Sequence, residues 1–295
     1  MDRYLVVAAG SPRGGEKTWN SLYKNVLDHL NADLAVVTSK DFVDENLSLF
    51  KKAKYIWIFE DFKNYFEYYN KNYSQNAIHY LKKGKGTGLY ESGSIHFVFK
   101  DFVLNNYLST LNKYDFIIYT RFDQFYITKH REGNKEKILI PRGEDYSGLC
   151  DRHAIIPREY IKKYLEICDY IDSNNYEKYP TDYLNCETTY LNQLKNNNLI
   201  NLVERTERYQ FTSSLRQDKT NWRVAIYKLY GFHNLYIKYP DEFMESMKNI
   251  FLFHKLKIFT INISLTLNYL YLKIRRILGR LKNYINLQKH HQDKK

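Results

Sequence analysis

Cysteine, proline and glycine are scarce in this sequence, and their scarcity excludes several kinds of protein. The 295 residues include 3 cysteines, 5 prolines and 12 glycines. Cys150, Cys168 and Cys186 are widely separated and odd in number, so they supply neither a disulfide framework nor a CxxC zinc site, and we expect reduced thiols. No internal repeat or low-complexity linker divides the sequence. Its length is enough to bury a full core as one large α/β unit or as two small domains.

A long apolar run is missing as well. Residues 258–272 come nearest to one, but Asn262 and Asn268 interrupt them, and a membrane-spanning helix needs ~20 predominantly apolar residues. Eight lysines and arginines follow within residues 273–295, against the single acid Asp293. We therefore expect residues 236–295 to be a basic amphipathic helical region that lies on an anionic membrane surface. The alternative is a helix that packs on the rest of the protein and has a solvated basic end.

Acidic residues are too few to balance the basic ones. The chain has 45 lysines and arginines against 33 aspartates and glutamates, a formal net charge of +12. This favours a polyanionic partner: nucleic acid, an anionic membrane or a phosphate-bearing substrate. We do not expect nucleic acid, because no reader module is recognisable, although a basic nucleic-acid-binding protein stays an alternative. The start, MDRYLVVAAG, lacks the apolar segment and cleavage site of a signal peptide, so we expect a cytoplasmic protein.

Apolar runs alternate with amphipathic stretches in the first part of the chain. The strand-like runs are residues 4–9, 34–37, 55–59 and 116–119, and the helix-like stretches between them include residues 19–30 and 95–107. Strands that alternate with helices pair in parallel and form an α/β fold. After Asp123 the pattern predicts two short strands at 138–140 and 154–156, and two helices at about 159–171 and 187–194.

The first predicted strand ends in a glycine-rich loop, residues 10–18, in front of a predicted helix. Backbone amides of such a loop and a helix N-terminus bind phosphate, so Arg13 and Gly14 are candidate anion-binding residues. The loop is similar to a P-loop, but Glu16 separates its glycines from Lys17, and an acid there repels phosphates. A sulfotransferase or kinase that binds its nucleotide here is one alternative. A tight turn that needs glycine only for its backbone is another.

Polar side chains directly follow the apolar strand at 116–119. Residues two apart in a strand face the same way, so Arg121 and Asp123 are expected to project together while Phe122 packs behind them. Magnesium-type ions are held by one or two carboxylates plus substrate phosphates, and a guanidinium pairs with phosphate oxygens. A metal diphosphate is therefore the expected partner. The alternative is an Arg/Asp pair that satisfies itself at the edge of the sheet.

A third polar cluster lies between the two short strands, at residues 143–153. It contains Asp145 and Asp151, and two acids in one loop can divide catalytic work, one as an ionised base and one held in a hydrogen-bond network. Asp151 and Arg152 can equally form a buried ion pair that orders the loop. His153 is expected to be a structural histidine with satisfied hydrogen bonds.

Four segments carry, in this order, a resemblance to a known family. They are GSPRGGEKTWNSLYKNVLD, Gly93-Ser94-Ile95, YDFIIYTRFD and GLCDRHAIIPREYI, all within residues 1–223. Together they resemble an uncharacterised group of bacterial glycosyltransferases from capsule and lipopolysaccharide loci. The resemblance implies a glycosyltransferase-A type, Rossmann-like α/β fold: a mixed sheet flanked by helices, followed here by the basic helical C-terminal extension.

By the same resemblance, the segment from Arg121 to Asp123 occupies the place of an Asp-x-Asp motif, which coordinates the donor diphosphate through Mn²⁺ or Mg²⁺. Asp123 is then a metal ligand and a catalytic residue, whereas Asp145 and Asp151, catalytic candidates because of their polar loop, match the family's motifs by position only. Because Arg121 replaces the first aspartate, an arginine can supply part of the metal's charge. The residues implied on the donor side are Arg13, Gly14, Ser94 and Arg121.

The resemblance finally implies a reaction and its partners. A glycosyl group moves from a nucleotide-diphosphate sugar to a hydroxyl of a surface polysaccharide, a lipopolysaccharide or another lipid-linked glycan. Residues 1–130 are expected to form the nucleotide-sugar-binding half, residues 131–235 the acceptor-side half, and residues 236–295 the membrane-binding region. The enzyme is expected to be peripheral at the inner face of the cytoplasmic membrane.

Overall fold

The computed structural model describes residues 2–60, 65–87, 89–90, 94–181, 183–215, 227–228, 235–248 and 274. Its strands are β1 (Tyr4–Ala9), β2 (Asp33–Ser39), β3 (Tyr55–Phe59), β4 (Phe116–Thr120), β5 (Gln124–Tyr126), β6 (Ile138–Pro141), β7 (Ala154–Pro157), β8 (Val203–Thr206), β9 (Gln210–Ser214), β10 (Tyr227–Lys228) and β11 (Tyr236–Ile237). Its α-helices are α1 (Gly15–Leu22), α2 (Asp28–Leu30), α3 (Ser48–Lys52), α4 (Tyr65–Asn72), α5 (Gln75–Lys83), α6 (Ser94–Leu111), α7 (Ile161–Leu165), α8 (Ile167–Asp172), α9 (Cys186–Asn196) and α10 (Pro240–Met247). A π-helical turn, Tyr23–Leu27, joins α1 to α2.

A mixed seven-stranded sheet forms the centre of the fold, in the order β3-β2-β1-β4-β7-β6-β8. β1 pairs in parallel with β2 and β4, β2 with β3, and β6 with β8, whereas β7 runs antiparallel to both of its neighbours. A smaller antiparallel sheet has the order β10-β11-β9-β5. The expected α/β fold, a mixed sheet flanked by helices, is confirmed.

Two apolar layers pack on the two faces of the large sheet. Along β1, Leu5 and Val7 belong to the layer shared with α4 to α9, while Tyr4 and Val6 belong to the layer shared with α1. All residues of β1 and β4 are buried, which is typical of parallel strands covered by helices on both faces. This burial is the reason why both strands are continuous apolar runs in the sequence.

Most of the predicted elements are found, and one differs. The predicted strands lie within β1 to β4, β6 and β7, and the predicted helix at 187–194 lies within α9. The continuous helix expected at 159–171 is wrong, because it is interrupted at Glu166, whose φ of −75° and ψ of 45° are not helical. The interruption lets α7 pack on β7 and α6 while α8 packs on α5. Apolar residues on more than one face of the segment are buried in this way.

The order of the strands reverses between β1 and β4. From β1 the chain adds β2 and β3 on one side, and α6 then leads back to β4 on the other side of β1. In open α/β sheets, ligands bind at such a reversal, outside the carboxyl ends of the strands. Gly10 directly follows β1 and Arg121 directly follows β4, so two of the three polar motifs of the sequence meet at this point.

Residues 235–248 pack on the smaller sheet. β11 pairs with β9, and α10 packs on β9, where the Thr212 amide donates to a carboxylate oxygen of Glu242 at 2.7 Å. The C-terminal region expected from residue 236 onwards therefore begins inside the packed core, because Glu242 is completely buried there. The amphipathic stretch expected at 258–272 lies outside the described residues. In the part of the chain that the structure describes, no helix is long and apolar enough to cross a bilayer.

Candidate active site

A cleft opens where the strand order reverses. Its walls come from the ends of β1 and β2, the loop after β1, the residues after β4 and the start of α6. The charged side chains in the wall are Arg13, Arg121 and Asp123, while Phe42 and Tyr65 supply aromatic surface. Three residues expected from the sequence to bind the donor or to act in catalysis thus share one cleft.

Arg121 and Asp123 are joined by two hydrogen bonds. The guanidinium Nε and one Nη donate to the two carboxylate oxygens of Asp123 at 2.9 and 2.6 Å. Both side chains are largely buried, with exposed fractions of 13% and 5%. Phe122, between them in sequence, is 2% exposed, so the expected alternation of directions is confirmed. Burial alone would raise the pKa of Asp123, but the charges of Arg121, Lys238 and Arg13 outweigh it and lower the pKa.

Glycine allows the loop after β1 to approach this pair. Gly14 has a φ of 91°, and a Cβ there would lie 3.2 Å from the Cα of Asp123 and 3.0 Å from the Thr18 side chain. The Trp19 Nε1 group donates to the carbonyl of Arg13 at 3.0 Å and fixes the turn. The loop therefore holds Arg13 in the cleft wall, where its charge acts on Asp123.

A third cation, Lys238, interacts with the pair from the smaller sheet. Lys238 lies between β11 and α10 and is 2% exposed. Burial and the charge of Arg121 lower the pKa of Lys238 to about 7, and Arg152 and Arg13 act in the same direction against Asp123. Two guanidinium groups and a partly charged lysine thus act on one carboxylate. The excess of positive charge favours an anionic ligand at this end of the sheet.

Asp151 and His96 are two further ionisable residues near the pair, and of these two His96 lines the cleft. Burial alone would raise the pKa of Asp151, but nearby positive charges, with Arg152 the largest and Arg121 among them, lower it, so Asp151 is ionised at neutral pH. Within the described ranges its carboxylate forms no hydrogen bond or short ion pair. His96 lines the cleft, and burial and the Arg121 charge lower the pKa of His96 to about 3. An ionised carboxylate without a committed partner, next to a neutral imidazole, can accept a proton.

Arg152 does not pair with Asp151, which was one of the two expectations for this loop. Its guanidinium lies 3.2 Å from Glu187 Oε1 and 3.5 Å from Glu242 Oε1. It also lies over the Tyr239 ring, 4.4 Å from the centroid. The two carboxyl groups come from α9 and α10, far from Arg152 in sequence, and Glu242, whose pKa the nearby arginines lower, supplies the negative charge that compensates the buried guanidinium.

Glu187 is a functional candidate that the sequence did not indicate. It lies in the first turn of α9, and burial and the Asp151 charge raise the pKa of Glu187 to about 8, although Arg152 opposes the shift. Glu187 therefore keeps its proton at neutral pH while Asp151 does not. Gly148 packs on the same turn so closely that a Cβ would lie 2.1 Å from the Glu187 carbonyl. The sequence did place Glu187 in the first turn of a predicted helix, but glutamate is too common at such positions to indicate a functional residue.

The contacts of Asp145 indicate a structural role. Arg205 donates to its two carboxylate oxygens at 2.8 and 3.0 Å, and the Cys150 amide donates at 3.0 Å. These bonds hold the 143–153 loop against β8, which contains Arg205. Asp145 is thus committed to ordering the loop that carries Asp151.

Ser94 lies at the start of α6, next to the cleft wall and not in it. Its hydroxyl donates to the Tyr90 carbonyl at 3.3 Å, and its carbonyl accepts from the Tyr69 hydroxyl at 2.9 Å. The following residues Ile95 and His96 line the cleft instead. The structure therefore brings Ser94 close to the expected donor site without giving its side chain a place on the surface of that site.

The residues of the cleft do not fit the divalent cation that the family resemblance implied. A Mg²⁺-type or Mn²⁺-type ion binds carboxylate oxygens directly, but both oxygens of Asp123 are already bonded to Arg121. A dication at Asp123 would also be repelled by Arg13 and Lys238. Among the residues that the structure describes, no three His, Cys, Asp or Glu side chains are grouped so that they could hold a metal ion.

His153 is a structural histidine, as expected. It is 3% exposed, and its ring nitrogens lie 3.0 Å from the Thr120 hydroxyl and 2.9 Å from Nε2 of His130. Burial and His130 lower the pKa of His153 well below its usual value, so both bonds are made by a neutral ring.

A second, larger cavity of about 500 Å³ lies between α5 and residues 176–181, 183 and 184. Its wall carries four tyrosines and one lysine: Tyr80, Tyr176, Tyr179, Tyr183 and Lys83. Tyr183 is half exposed. Asn185, directly after this wall, donates to the Tyr146 carbonyl at 2.9 Å, so the cavity adjoins the loop that carries Asp151.

Comparison with known proteins gives a distant likeness to solved structures alone: no family model and no curated protein matches the chain. One similar structure is PaToxG Glycosyltransferase, which is 13% identical with a TM-score of 0.36 over 66% of this chain and 68% of that chain. Another is mouse xyloside xylosyltransferase 1 in its apo form, which is 13% identical with a TM-score of 0.36 over 70% of this chain and 85% of that chain.

Proposed function

We propose that this protein is a glycosyltransferase that takes a sugar from a nucleotide-diphosphate donor. The observation that supports this proposal is the buried Arg121–Asp123 pair, with Arg13 beside it, at the reversal of the sheet. As the bond between the sugar and the diphosphate breaks, negative charge builds up on the leaving group, and cations already in position stabilise it. Phe42, which is 46% exposed, and Tyr65 offer aromatic surface for the base of the donor.

We propose that the hydroxyl group of the acceptor binds next to the Asp151 carboxylate. In the step we propose, the acceptor oxygen bonds to the anomeric carbon, the bond from that carbon to the diphosphate breaks with its electron pair leaving on the diphosphate, and Asp151 accepts the hydroxyl proton. Two observations support this role: Asp151 is ionised at neutral pH, and among the described residues its carboxylate forms no hydrogen bond or short ion pair. Glu187, whose pKa is raised to about 8, is protonated at neutral pH and would donate a hydrogen bond instead.

The tyrosine-lined cavity is the place we propose for the glycan part of the acceptor. Aromatic rings present a large apolar face together with a polar hydroxyl, and both suit a sugar ring with its C–H and O–H groups. Pockets with predominantly aromatic walls and a few polar groups are typical of ligand sites. The bond from Asn185 to the 143–153 loop supports a path between this cavity and Asp151.

The kinase and sulfotransferase alternatives are less well supported. In a P-loop, the hydroxyl that follows the lysine binds the magnesium ion. Here the corresponding hydroxyl, that of Thr18, is completely buried and lies 2.8 Å from the Ser213 hydroxyl. Gly14 of this loop lets the backbone approach Asp123, and Gly15 packs against the Leu215 side chain.

We further propose that the acceptor is a lipid-linked precursor of a surface polysaccharide or lipopolysaccharide, at the inner face of the cytoplasmic membrane. The concentration of lysines and arginines in residues 273–295 supports this, since each contributes on the order of 1 kcal/mol of attraction near an anionic surface.

The test of the proposed function is a thermal-shift screen of nucleotide sugars, because a ligand that binds only the folded protein raises its melting temperature. Arg13→Ala should lower the affinity for the responding donor by about tenfold or more. Arg3→Ala is the matched control, since Arg3 precedes β1 and its side chain is 63% exposed, and this change should leave the affinity as it was. If ATP or adenosine phosphosulfate stabilises the protein and no nucleotide sugar does, the proposal is wrong.

A further inference from the structure

The residues at the end of β4 do not fit the metal site that the sequence predicted. How the donor diphosphate binds there is a separate question, and its answer rests on the proposed function. Where two carboxylates would hold a cation, this chain has one carboxylate and one guanidinium, already bonded to each other. A dication could bind the Asp123 carboxylate only if Arg121 gave up its two hydrogen bonds. Arg121 would then be a buried charge without its partner, which is costly. Arg121 and Asp123 therefore form a complete ion pair without a metal ion.

We infer that the donor diphosphate binds directly to Arg121 and Arg13 without a metal ion, and that Asp123 is a positioning residue that orients Arg121. A guanidinium has five N–H donors, and Asp123 uses two of those of Arg121, so the others remain for phosphate oxygens. Because a guanidinium presents its donors in a planar fork, it recognises phosphate in a bidentate way that a point charge cannot reproduce.

The surroundings of Asp123 hold the pair rigidly. The Ser213 amide donates to the Asp123 carbonyl at 2.7 Å, and the Ser213 hydroxyl donates to the same carbonyl at 3.2 Å. Gly14 closes the other side, since its Cα approaches so closely that a Cβ would meet the Asp123 backbone. A cation that is held in place before the reaction needs no reorganisation when charge develops on the leaving group.

The charges around Asp123 favour an anionic ligand over a metal ion. Arg121, Lys238 and Arg13 all act on Asp123, and even with Lys238 only partly charged at neutral pH, the positive charge exceeds that of this one carboxylate. This excess corresponds to an anionic ligand that carries more than one negative charge, as a diphosphate does. A divalent cation would add to the excess, whereas the diphosphate alone removes it.

The experiment measures binding of nucleoside diphosphates by calorimetry to the full chain, once in EDTA and once in excess MnCl₂. We expect the nucleotide that binds to do so with the same affinity, within about twofold, under both conditions. Arg13→Gln should weaken binding by roughly tenfold or more in both, with no rescue by manganese, while Arg3→Gln leaves it unchanged. Arg121→Asp restores two carboxylates at this place, and its binding should be undetectable in EDTA and recovered by manganese.

The outcomes separate this inference from the proposed function. Binding by the unaltered protein that requires manganese overturns the inference and leaves the glycosyltransferase proposal standing. Failure of every nucleoside diphosphate to bind under either condition overturns both. If Arg121→Asp does not fold, the comparison of Arg13→Gln with Arg3→Gln still decides the matter, because equal affinities of these two variants would refute direct binding of the phosphates by Arg13.

Discussion

The buried histidine pair, His130 and His153, makes the stability of this protein depend on pH in a defined way. Nδ1 of His130 lies 2.9 Å from the Arg131 carbonyl, which only accepts, so Nδ1 carries the proton and Nε2 of His130 must accept. The Nε2 of His153 then donates to it at 2.9 Å, and the Nδ1 of His153 accepts from the Thr120 hydroxyl at 3.0 Å. This chain of bonds exists only when both rings are neutral.

The size of the effect follows from linkage. Burial lowers the pKa of His130 to about 4, and burial together with the His130 contact lowers the pKa of His153 well below its usual value. Between the unfolded pKa of about 6.5 and these lower values, the unfolded chain binds protons that the folded protein does not, so the stabilisation is complete above pH 6.5 and is lost as the pH falls. From pH 7 to pH 5 the loss is about 2 kcal/mol for each histidine.

Other groups titrate in the same range, so the assay compares variants at each pH. The Glu187 carboxyl, for example, has a raised pKa of about 8, and its contribution changes in the opposite direction. The free energy of unfolding is measured by urea melts, followed by the fluorescence of the buried Trp19 and Trp57. The difference between the unaltered protein and His153→Gln isolates one histidine.

We expect His153→Gln to be less stable than the unaltered protein at pH 7, and this disadvantage to shrink by about 2 kcal/mol at pH 5. His79→Gln is the control, because His79 is exposed on α5, and its difference from the unaltered protein should stay within about 0.5 kcal/mol at both values. A disadvantage of His153→Gln that is the same at pH 5 and pH 7 would refute the reasoning, since it would mean that the folded protein accommodates a charged ring at this position.

Three further predictions concern the proposed base, the proposed acceptor cavity and the proposed membrane-binding region. Asp151→Asn should lower kcat by about 100-fold or more and leave the donor affinity unchanged, whereas Asp145→Asn should mainly lower the melting temperature; equal kinetic losses in both would contradict the assignment of the base. Tyr183→Ala should raise the KM for the acceptor by about tenfold and Tyr183→Phe much less, and an unchanged KM in both would place the acceptor elsewhere. Deletion of residues 249–295 should abolish co-sedimentation with anionic vesicles at low salt and preserve donor binding, and vesicle binding by the truncated protein would contradict the proposed membrane role.

The central part of the fold could be predicted because its signals are local. β1 and β4 are buried on both faces, so they appear as continuous apolar runs, and the turn after β1 needs glycine where φ is positive. Alternation of side-chain direction along a strand was enough to place Arg121 and Asp123 on one side. Their mutual hydrogen bonds, however, depend on rotamers that alternation does not specify.

The rest of the site could not be predicted because its contacts join distant parts of the chain. Arg152 pairs with Glu187 and Glu242, which lie on two later helices, and no local pattern links these three positions. Lys238 appeared in a stretch that the sequence assigned to a separate membrane-binding region. Its burial next to the Arg121–Asp123 pair depends on β11 pairing with β9, a contact between strands of only two and five residues.

Glu242 shows why residues 235–248 belong to the packed core. Its carboxylate is completely buried, lies 3.0 Å from the Arg208 guanidinium and 3.5 Å from that of Arg152, and accepts from the Thr212 amide. Without it, two guanidinium groups would remain buried with much of their charge uncompensated, and removing one partner of a buried ion pair costs about 3–5 kcal/mol. The same segment carries Lys238, one of the three cations that act on Asp123. A cut before residue 236 would therefore damage the proposed donor site and the core together, and for this reason the truncation that tests membrane binding has to begin after Lys248.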